Sequence, residues 1–120
     1  MKKIILTVIS IITICSCDKI YRNQLYVINN CNEPIYMFIT NTWGNIDTFM
    51  VEANATFMFD EGQGIASPKE MIEQSFVKLE ITKNGILSNV NYRDFDRWIY
   101  KENGHQSELY LMVNSKDFPP

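Results

Sequence analysis

The chain has 120 residues, with 14 Asp and Glu against 11 Lys and Arg and a formal net charge of −3 at pH 7. This length predicts a single domain, and the acidic balance argues against a nucleic acid partner, which would need a basic face. A hydrophobic fraction of 46% beside so small a charge also argues against disorder.

Residues 1–17 have the pattern of an export signal. Lys2 and Lys3 are basic, and residues 4–14 form an uncharged, mostly apolar run. A membrane-spanning helix needs about 20 apolar residues, so this shorter run predicts a signal peptide. The tetrapeptide ICSC at residues 14–17 resembles the lipobox of bacterial lipoprotein signal peptides.

This resemblance implies that residues 1–16 are cleaved off and that Cys17 carries the lipid, on its sulfur as palmitate or a similar acyl chain and on its new amino terminus. Two or more acyl chains anchor a protein stably, whereas one binds reversibly. The expected location is the cell envelope, on the outer or inner membrane, facing the periplasm or the cell surface. Residues 17–24 would be a lipidated tether and residues 25–118 the folded domain. An ordinary secretory signal cut near Ser16 and an uncleaved short anchor are the alternatives.

Loss of residues 1–16 changes the charge and the cysteine content. Without Lys2 and Lys3 the basic residues fall from 11 to 9 against 14 acidic ones, a net charge of −5. With Cys15 removed and Cys17 acylated, Cys31 has no partner for an intramolecular disulfide. We expect Cys31 to be a small residue at a strand end, because no neighbouring base or helix terminus is predicted to lower its thiol pKa.

Beyond residue 24, short β-branched and aromatic runs alternate with turn signals, which is typical of a β-sandwich or barrel. Asn84-Gly85 is a type I′ hairpin signal, and the chain from residue 86 is predicted to pair back across it. A short helix is predicted at residues 68–74, with Ser67 as N-cap and Glu70 completing a capping box. The other predicted strands are residues 25–29, 35–40, 48–51, 56–60, 76–82, 98–101 and 109–114.

This order predicts an all-β fold: an antiparallel β-sandwich of about seven strands with one short helix, preceded by a cleaved signal peptide. Alternation places Val77, Leu79 and Ile81 inside and Lys78 and Glu80 outside. Residues 35–39 and 57–59 are apolar on both faces. We expect the helix and the long loops to cover the second face, rather than a partner.

The titratable residues offer little chemistry. His105 is the single histidine, and no nucleophile motif accompanies it. One histidine and one unpaired cysteine cannot supply the three or four ligands of a zinc site, so no metal or cofactor is predicted. Asp94 and Asp96 would project to one side of an extended segment, flanked by Arg93 and Arg97, and are expected to form a surface charge cluster.

Four residues are the candidate binding residues, since they lie in predicted loops on a rigid scaffold. Trp43 lies between the second and third strands, Glu61 and Gln63 lie in a glycine-containing segment, and His105 lies in the last hairpin. The aromatic residues of that hairpin are further candidates, since Trp98 and Tyr100 share one strand face and Tyr110 lies on the facing strand, but most of these rings are expected to pack in the core.

Three functions are consistent with these patterns. The first is a lipid-anchored envelope protein that binds another envelope protein or a ligand without catalysis, generically similar to small β-sandwich lipoproteins of Gram-negative bacteria. The second is an inhibitor or immunity-type lipoprotein in the periplasm, whose acidic charge suits a basic target. The third is a small hydrolase that uses Asp94, Asp96 and Glu61.

Overall fold

A computed structural model describes residues 22–63 and 67–120 of the chain. The predicted signal peptide, the lipidation at Cys17 and the start of the tether lie outside these residues. The described part forms strands and a helix in this order: β1 (Arg22–Asn30), β2 (Ile35–Thr40), β3 (Ile46–Val51), β4 (Thr56–Gln63), α1 (Pro68–Ser75), β5 (Lys78–Lys83), β6 (Ile86–Leu87), β7 (Trp98–Asn103) and β8 (Gln106–Asn114).

The strands form two four-stranded sheets, which confirms the predicted all-β sandwich. The first sheet has the order β4-β1-β8-β7 and the second has the order β3-β2-β5-β6. The described strand pairs are antiparallel as predicted, with one exception: β1 and β8 run parallel. These two strands are far apart in the sequence, so no hairpin turn fixes their relative direction.

Several strands begin or end at other residues than predicted, among them β1 and β5. β1 begins at Arg22, so residues 22–24 belong to the first sheet and not to a tether. β5 begins only at Lys78, and Val77 lies at a bend before it. That bend interrupts the alternation, so Val77 is 47% exposed instead of buried, whereas Leu79 and Ile81 are buried as predicted.

The core lies between the sheets and is built by the inward-facing residues of alternating strands. Each fully buried aliphatic side chain contributes about 1.5–3 kcal/mol relative to its exposed state. Fully buried examples from both sheets are Leu25, Val27, Ile35, Met37, Val51, Ile81, Leu109, Leu111 and Val113.

The helix α1 connects the first sheet to the second and has the predicted capping box. The Glu70 backbone N–H donates to Ser67 Oγ at 3.3 Å, and the Ser67 hydroxyl donates to Glu70 Oε1 at 3.0 Å. Pro68 occupies the first turn, where its missing N–H costs nothing. Met71 and Ile72 are buried, so this face of the helix belongs to the core.

The topology gives the sandwich two distinct ends. β1 starts at one end and runs to Asn30, and β2 then returns in the other sheet. We call the end at which β1 starts the entry end. It contains Arg22, the β2–β3 loop at residues 41–45 and the β7–β8 turn at residues 104–105. Arg22 N donates to the His105 carbonyl at 3.0 Å, which joins two of these segments.

The opposite end, which we call the far end, contains the β1–β2 link at residues 31–34, the β3–β4 turn at residues 52–55 and the β5–β6 turn. In that last turn Asn84 and Gly85 have φ values of 54° and 76°, which confirms the predicted type I′ turn. The Asn84 side chain donates a hydrogen bond to Glu33 Oε2 of the β1–β2 link.

Asn29 connects the far end internally. Its side chain is fully buried, and Nδ2 donates to the carbonyl oxygens of Glu33, Val51 and Glu52 at 2.9, 3.0 and 3.1 Å. Its Oδ1 accepts from the backbone N–H of Cys31 at 3.0 Å. One amide group therefore satisfies backbone groups at the two links of the far end, the β1–β2 link and the β3–β4 turn.

A second buried network at the far end involves Tyr92. Its hydroxyl oxygen lies 2.6 Å from Ser88 Oγ, and its carbonyl accepts from Trp98 Nε1 at 2.8 Å. Burial raises the pKa of Tyr92 to about 12. Beside it, Arg97 pairs with the buried carboxylate of Asp117 at 3.0 Å, so the segment before β7 is held against the chain after β8.

Candidate binding surface

The β2–β3 loop at residues 41–45 is held by its own hydrogen bonds. Asn41 Oδ1 accepts from the backbone N–H groups of Trp43 and Asn45 at 2.9 and 3.0 Å. The Asn41 backbone N–H donates to the Asn45 carbonyl at 2.9 Å, and Gly44 N donates to the Asn41 carbonyl at 3.0 Å. Gly44 has φ of 86°, a left-handed conformation that favours glycine. The loop is therefore ordered without help from the Trp43 side chain.

Trp43 is 87% exposed, the most exposed large hydrophobic residue in the described part of the chain. Ile46, which pairs with Thr40 at the end of β2, is 64% exposed. The backbone N–H of Val77 donates to the Thr40 carbonyl at 2.9 Å, so exposed Val77 lies on the other side of the same strand end. We call these three residues, Trp43, Ile46 and Val77, the Trp43 surface.

The other predicted binding residues also lie toward the entry end, but on the first sheet. Glu61 is exposed in β4, opposite Gln24 of β1. Gln63 is the last residue of β4, opposite Arg22. His105 is exposed in the β7–β8 turn, next to the same strand start. All four predicted binding residues thus lie toward the entry end, with Trp43 beside the second sheet and the other three on the first.

The three aromatic rings of the last hairpin do not share one surface. Trp98 is buried in the core, with ring centroids 6.1 Å from Phe59 and 6.4 Å from Phe76. Tyr100 follows it on the same inward side of β7, whereas Tyr110 points to the outer face of the first sheet. Alternation within the hairpin therefore separates Tyr110 from the other two rings.

Tyr110 instead stacks on Tyr26, because the parallel pairing of β1 and β8 places them side by side. Their ring centroids are 4.7 Å apart with an interplanar angle of 11°, and Lys101 Nζ lies 5.2 Å from the Tyr110 centroid. Partial burial and the Glu108 carboxylate raise the pKa of both tyrosines. Tyr110 therefore has a partner on each face of its ring, which leaves no flat face for a sugar.

Sequence reasoning missed this pair and also missed the exposure of the outer sheet faces. Tyr36 and Met50, opposite each other on the outer face of the second sheet, are exposed. The prediction that the helix and loops cover the second face of β2 is therefore wrong. The helix α1 lies instead at the entry end, where Val77 follows it directly and bonds to Thr40.

Asp94 and Asp96 lie in a short 3₁₀ turn and not in an extended segment. Asp94 Oδ1 accepts from the Asp96 backbone N–H at 3.1 Å, and both residues are exposed. Arg97 turns away to Asp117 rather than neutralising the pair. These carboxylates follow the β6 end of the second sheet, whereas Glu61 lies near the end of β4, so the predicted trio does not converge.

Two neighbouring cavities lie between β4 and the C-terminal part of α1. Their volumes are about 260 and about 210 Å³, and both are lined by Asp60 and Ser75. Ligand pockets usually span about 300–1,000 Å³, so each is smaller than that range. Asp47 also lines the smaller one, but none of the three carboxylates predicted for a hydrolase is among the described lining residues.

Within residues 22–63 and 67–120, no group of three or more His, Cys, Asp or Glu side chains is placed to hold a metal ion. Cys31 is buried beside the Val113 carbonyl, to which its Sγ donates at 3.7 Å, so its role is in packing as predicted. No helix in this part of the chain is long and apolar enough to cross a membrane.

No protein-family model and no solved structure matches the chain. The fold itself defines the class: a small β-sandwich domain with a rigid, tryptophan-bearing loop at one end. Any more specific function has to be argued from that end.

Proposed function

We propose that this protein is a lipid-anchored protein of the bacterial cell envelope, and that its β-sandwich binds another envelope component without catalysis. The observation that carries the binding role is the Trp43 loop. A tryptophan side chain that contributes nothing to the core is displayed by a loop with a complete hydrogen-bond pattern of its own.

An exposed tryptophan on a preordered loop is suited to association. Tryptophan brings a large apolar area and an N–H donor to a contact, and it is among the residues that dominate binding energies. Because Asn41 already fixes the loop, little conformational entropy is lost when Trp43 binds. Ile46 and Val77 are further exposed apolar side chains at the same end of the second sheet.

The anchoring role rests on the lipobox-like ICSC sequence at residues 14–17 and on the position of β1. β1 begins five residues after Cys17, since 22 − 17 = 5. The sandwich would therefore be held close to the lipid, and a role in the envelope follows from that proximity.

Surface binding is favoured over hydrolysis by the distribution of the carboxylates. Asp94 and Asp96 lie on an exposed turn, whereas Glu61 lies on a different strand toward the entry end. A glycosidase-type reaction needs two carboxyl groups facing each other across one substrate site. The arrangement of these three residues supports a surface role for each of them.

The test is the covalent state of Cys17 in protein isolated from membranes. We expect the intact mass to equal that of residues 17–120 plus acyl chains. Cys17→Ala should give an unprocessed or soluble protein, whereas the control Cys31→Ala should keep the lipid, because Cys31 is buried in the domain. An unmodified Cys17 in the wild-type protein would refute the proposal.

A further inference from the structure

The start of β1, which follows the anchor, lies at about the same height of the sandwich as the Trp43 loop. Asn29 bonds to the Val51 carbonyl, and Val51 pairs with Ile35, so these residues mark a common level. From that level, Arg22 is seven residues away along β1, which at about 3.3 Å per residue is about 23 Å. Thr40, the last residue of β2, is five residues from Ile35, or about 17 Å, and the turn that carries Trp43 follows it.

The length of chain before β1 limits how far this end can lie from a bilayer. The five steps from Cys17 to Arg22 span at most about 18 Å at 3.6 Å per residue. The headgroup layer of each leaflet is itself about 5–8 Å thick. A lipid on Cys17 therefore keeps the entry end, and with it Trp43, next to the headgroups.

We propose that the Trp43 surface inserts into the lipid interface of the membrane that carries the anchor. This inference rests on the proposed lipidation of Cys17. Tryptophan concentrates at the boundary between headgroups and acyl chains, where its ring is buried and its N–H stays hydrated. Ile46 and Val77 add apolar contact, so anchor and loop together fix the orientation of the sandwich.

The charges of the entry end indicate that this contact is apolar and not electrostatic. The exposed charged residues near this end, those of α1 included, are Arg22, Lys69, Lys78, Lys101, Asp47, Glu61, Glu70, Glu73 and Glu102. Four cations against five anions give no net attraction to an anionic surface. We therefore expect the insertion of Trp43 to occur on zwitterionic vesicles and to be insensitive to salt.

Tryptophan fluorescence can test this, because the chain contains only two tryptophans. Trp98 is buried in the core at 6% exposure and serves as an internal reference. The lipidated full-length protein is placed in phosphatidylcholine vesicles with or without brominated acyl chains. We expect brominated lipid to quench most of the Trp43 emission, and the control Trp43→Phe to leave an unquenched Trp98 signal.

Flotation of the same vesicles separates the two proposals. Protein that does not float with them lacks a lipid anchor, which overturns the proposed function and this inference together. Protein that floats but shows no quenching by brominated lipid overturns the inference alone. In that case, an aqueous quencher should be added to both samples. If Trp43 is protected from it in native envelopes but not in vesicles, the Trp43 surface binds a protein partner instead. Equal quenching at low and high salt would support the apolar contact.

Discussion

The two ends of the sandwich differ in where their polar and apolar groups lie. At the far end, polar side chains are buried: Asn29 bonds to three carbonyl groups, and Tyr92 and Asp117 join the segments around β7 and β8. The two most exposed large apolar side chains of the described residues, Trp43 and Ile46, lie at the entry end.

This contrast separates stability from recognition. A buried polar group without a hydrogen-bond partner is costly, so a fully hydrogen-bonded network makes the core rigid and favours one structure. An exposed tryptophan on a rigid loop adds nothing to folding and is available for contact. The far end therefore contributes polar links between the two sheets, and Trp43 at the entry end is available for the contact that we propose.

The largest effect on stability is expected from Asn29→Asp, which removes the hydrogen bonds of Asn29 at the far end. A carboxylate at this position cannot donate to the carbonyls of Glu33, Val51 and Glu52 and brings a charge into the core. We expect the free energy of unfolding in urea to fall by about 3–5 kcal/mol. The control Asn30→Asp, at an exposed neighbour, should cost less than about 1 kcal/mol. Similar losses in both variants would show that the Asn29 network does not hold the sheets together.

A smaller effect at the far end depends on pH. The folded pKa of Tyr92 is about 12, above its ordinary value of 10.0, so folding favours the neutral phenol. Its contribution is complete below pH 10 and is lost as the pH rises to about 12, a loss of about 2–3 kcal/mol. Urea unfolding measured across this range should show it.

The control variants for the pH effect are Tyr92→Phe and Tyr36→Phe. Tyr92→Phe should cost about 1 kcal/mol at neutral pH, through the lost Ser88 hydrogen bond. It should also reduce the alkaline dependence, to which Tyr26 and Tyr110, whose pKa values are raised as well, still contribute. Tyr36→Phe, on the exposed face of β2, should keep the wild-type dependence. An unchanged slope in Tyr92→Phe would assign the alkaline loss to another group.

The smallest effect on stability is expected at the entry end. Trp43→Ala removes a side chain that packs on nothing in the core, so the free energy of unfolding should change by less than about 0.5 kcal/mol. Trp98→Ala provides the matched comparison and should cost about 3–5 kcal/mol, because Trp98 is buried beside Phe59 and Phe76. A large loss in Trp43→Ala would mean that the entry end takes part in folding.

The sequence predicted the local features well because they depend on neighbouring residues. β2, the capping box of α1 and the Asn84-Gly85 turn follow from alternation, N-cap chemistry and turn preference. The parallel pairing of β1 with β8 could not be predicted in this way, because no short connection sets it. The Tyr26–Tyr110 stack depends on that pairing and was missed with it.

The candidate surface was predicted in part. Trp43 lies in an Asn-rich loop with a glycine, a pattern that indicates a turn, and the structure shows the turn. Val77 was placed in the core because it fits the alternation of β5. Its exposure depends on the bend between α1 and β5 and on the bond to Thr40, which is a tertiary contact without a sequence signal.

The orientation of the two ends on a membrane tests the central claim most directly. Thr42→Cys at the entry end and Asn32→Cys at the far end are both at exposed positions and accept a fluorophore, while Cys31 stays buried. With the lipidated proteins on vesicles that contain nitroxide-labelled lipid, we expect quenching of the label at residue 42 and none at residue 32. Equal quenching at both positions, or stronger quenching at residue 32, would contradict the account.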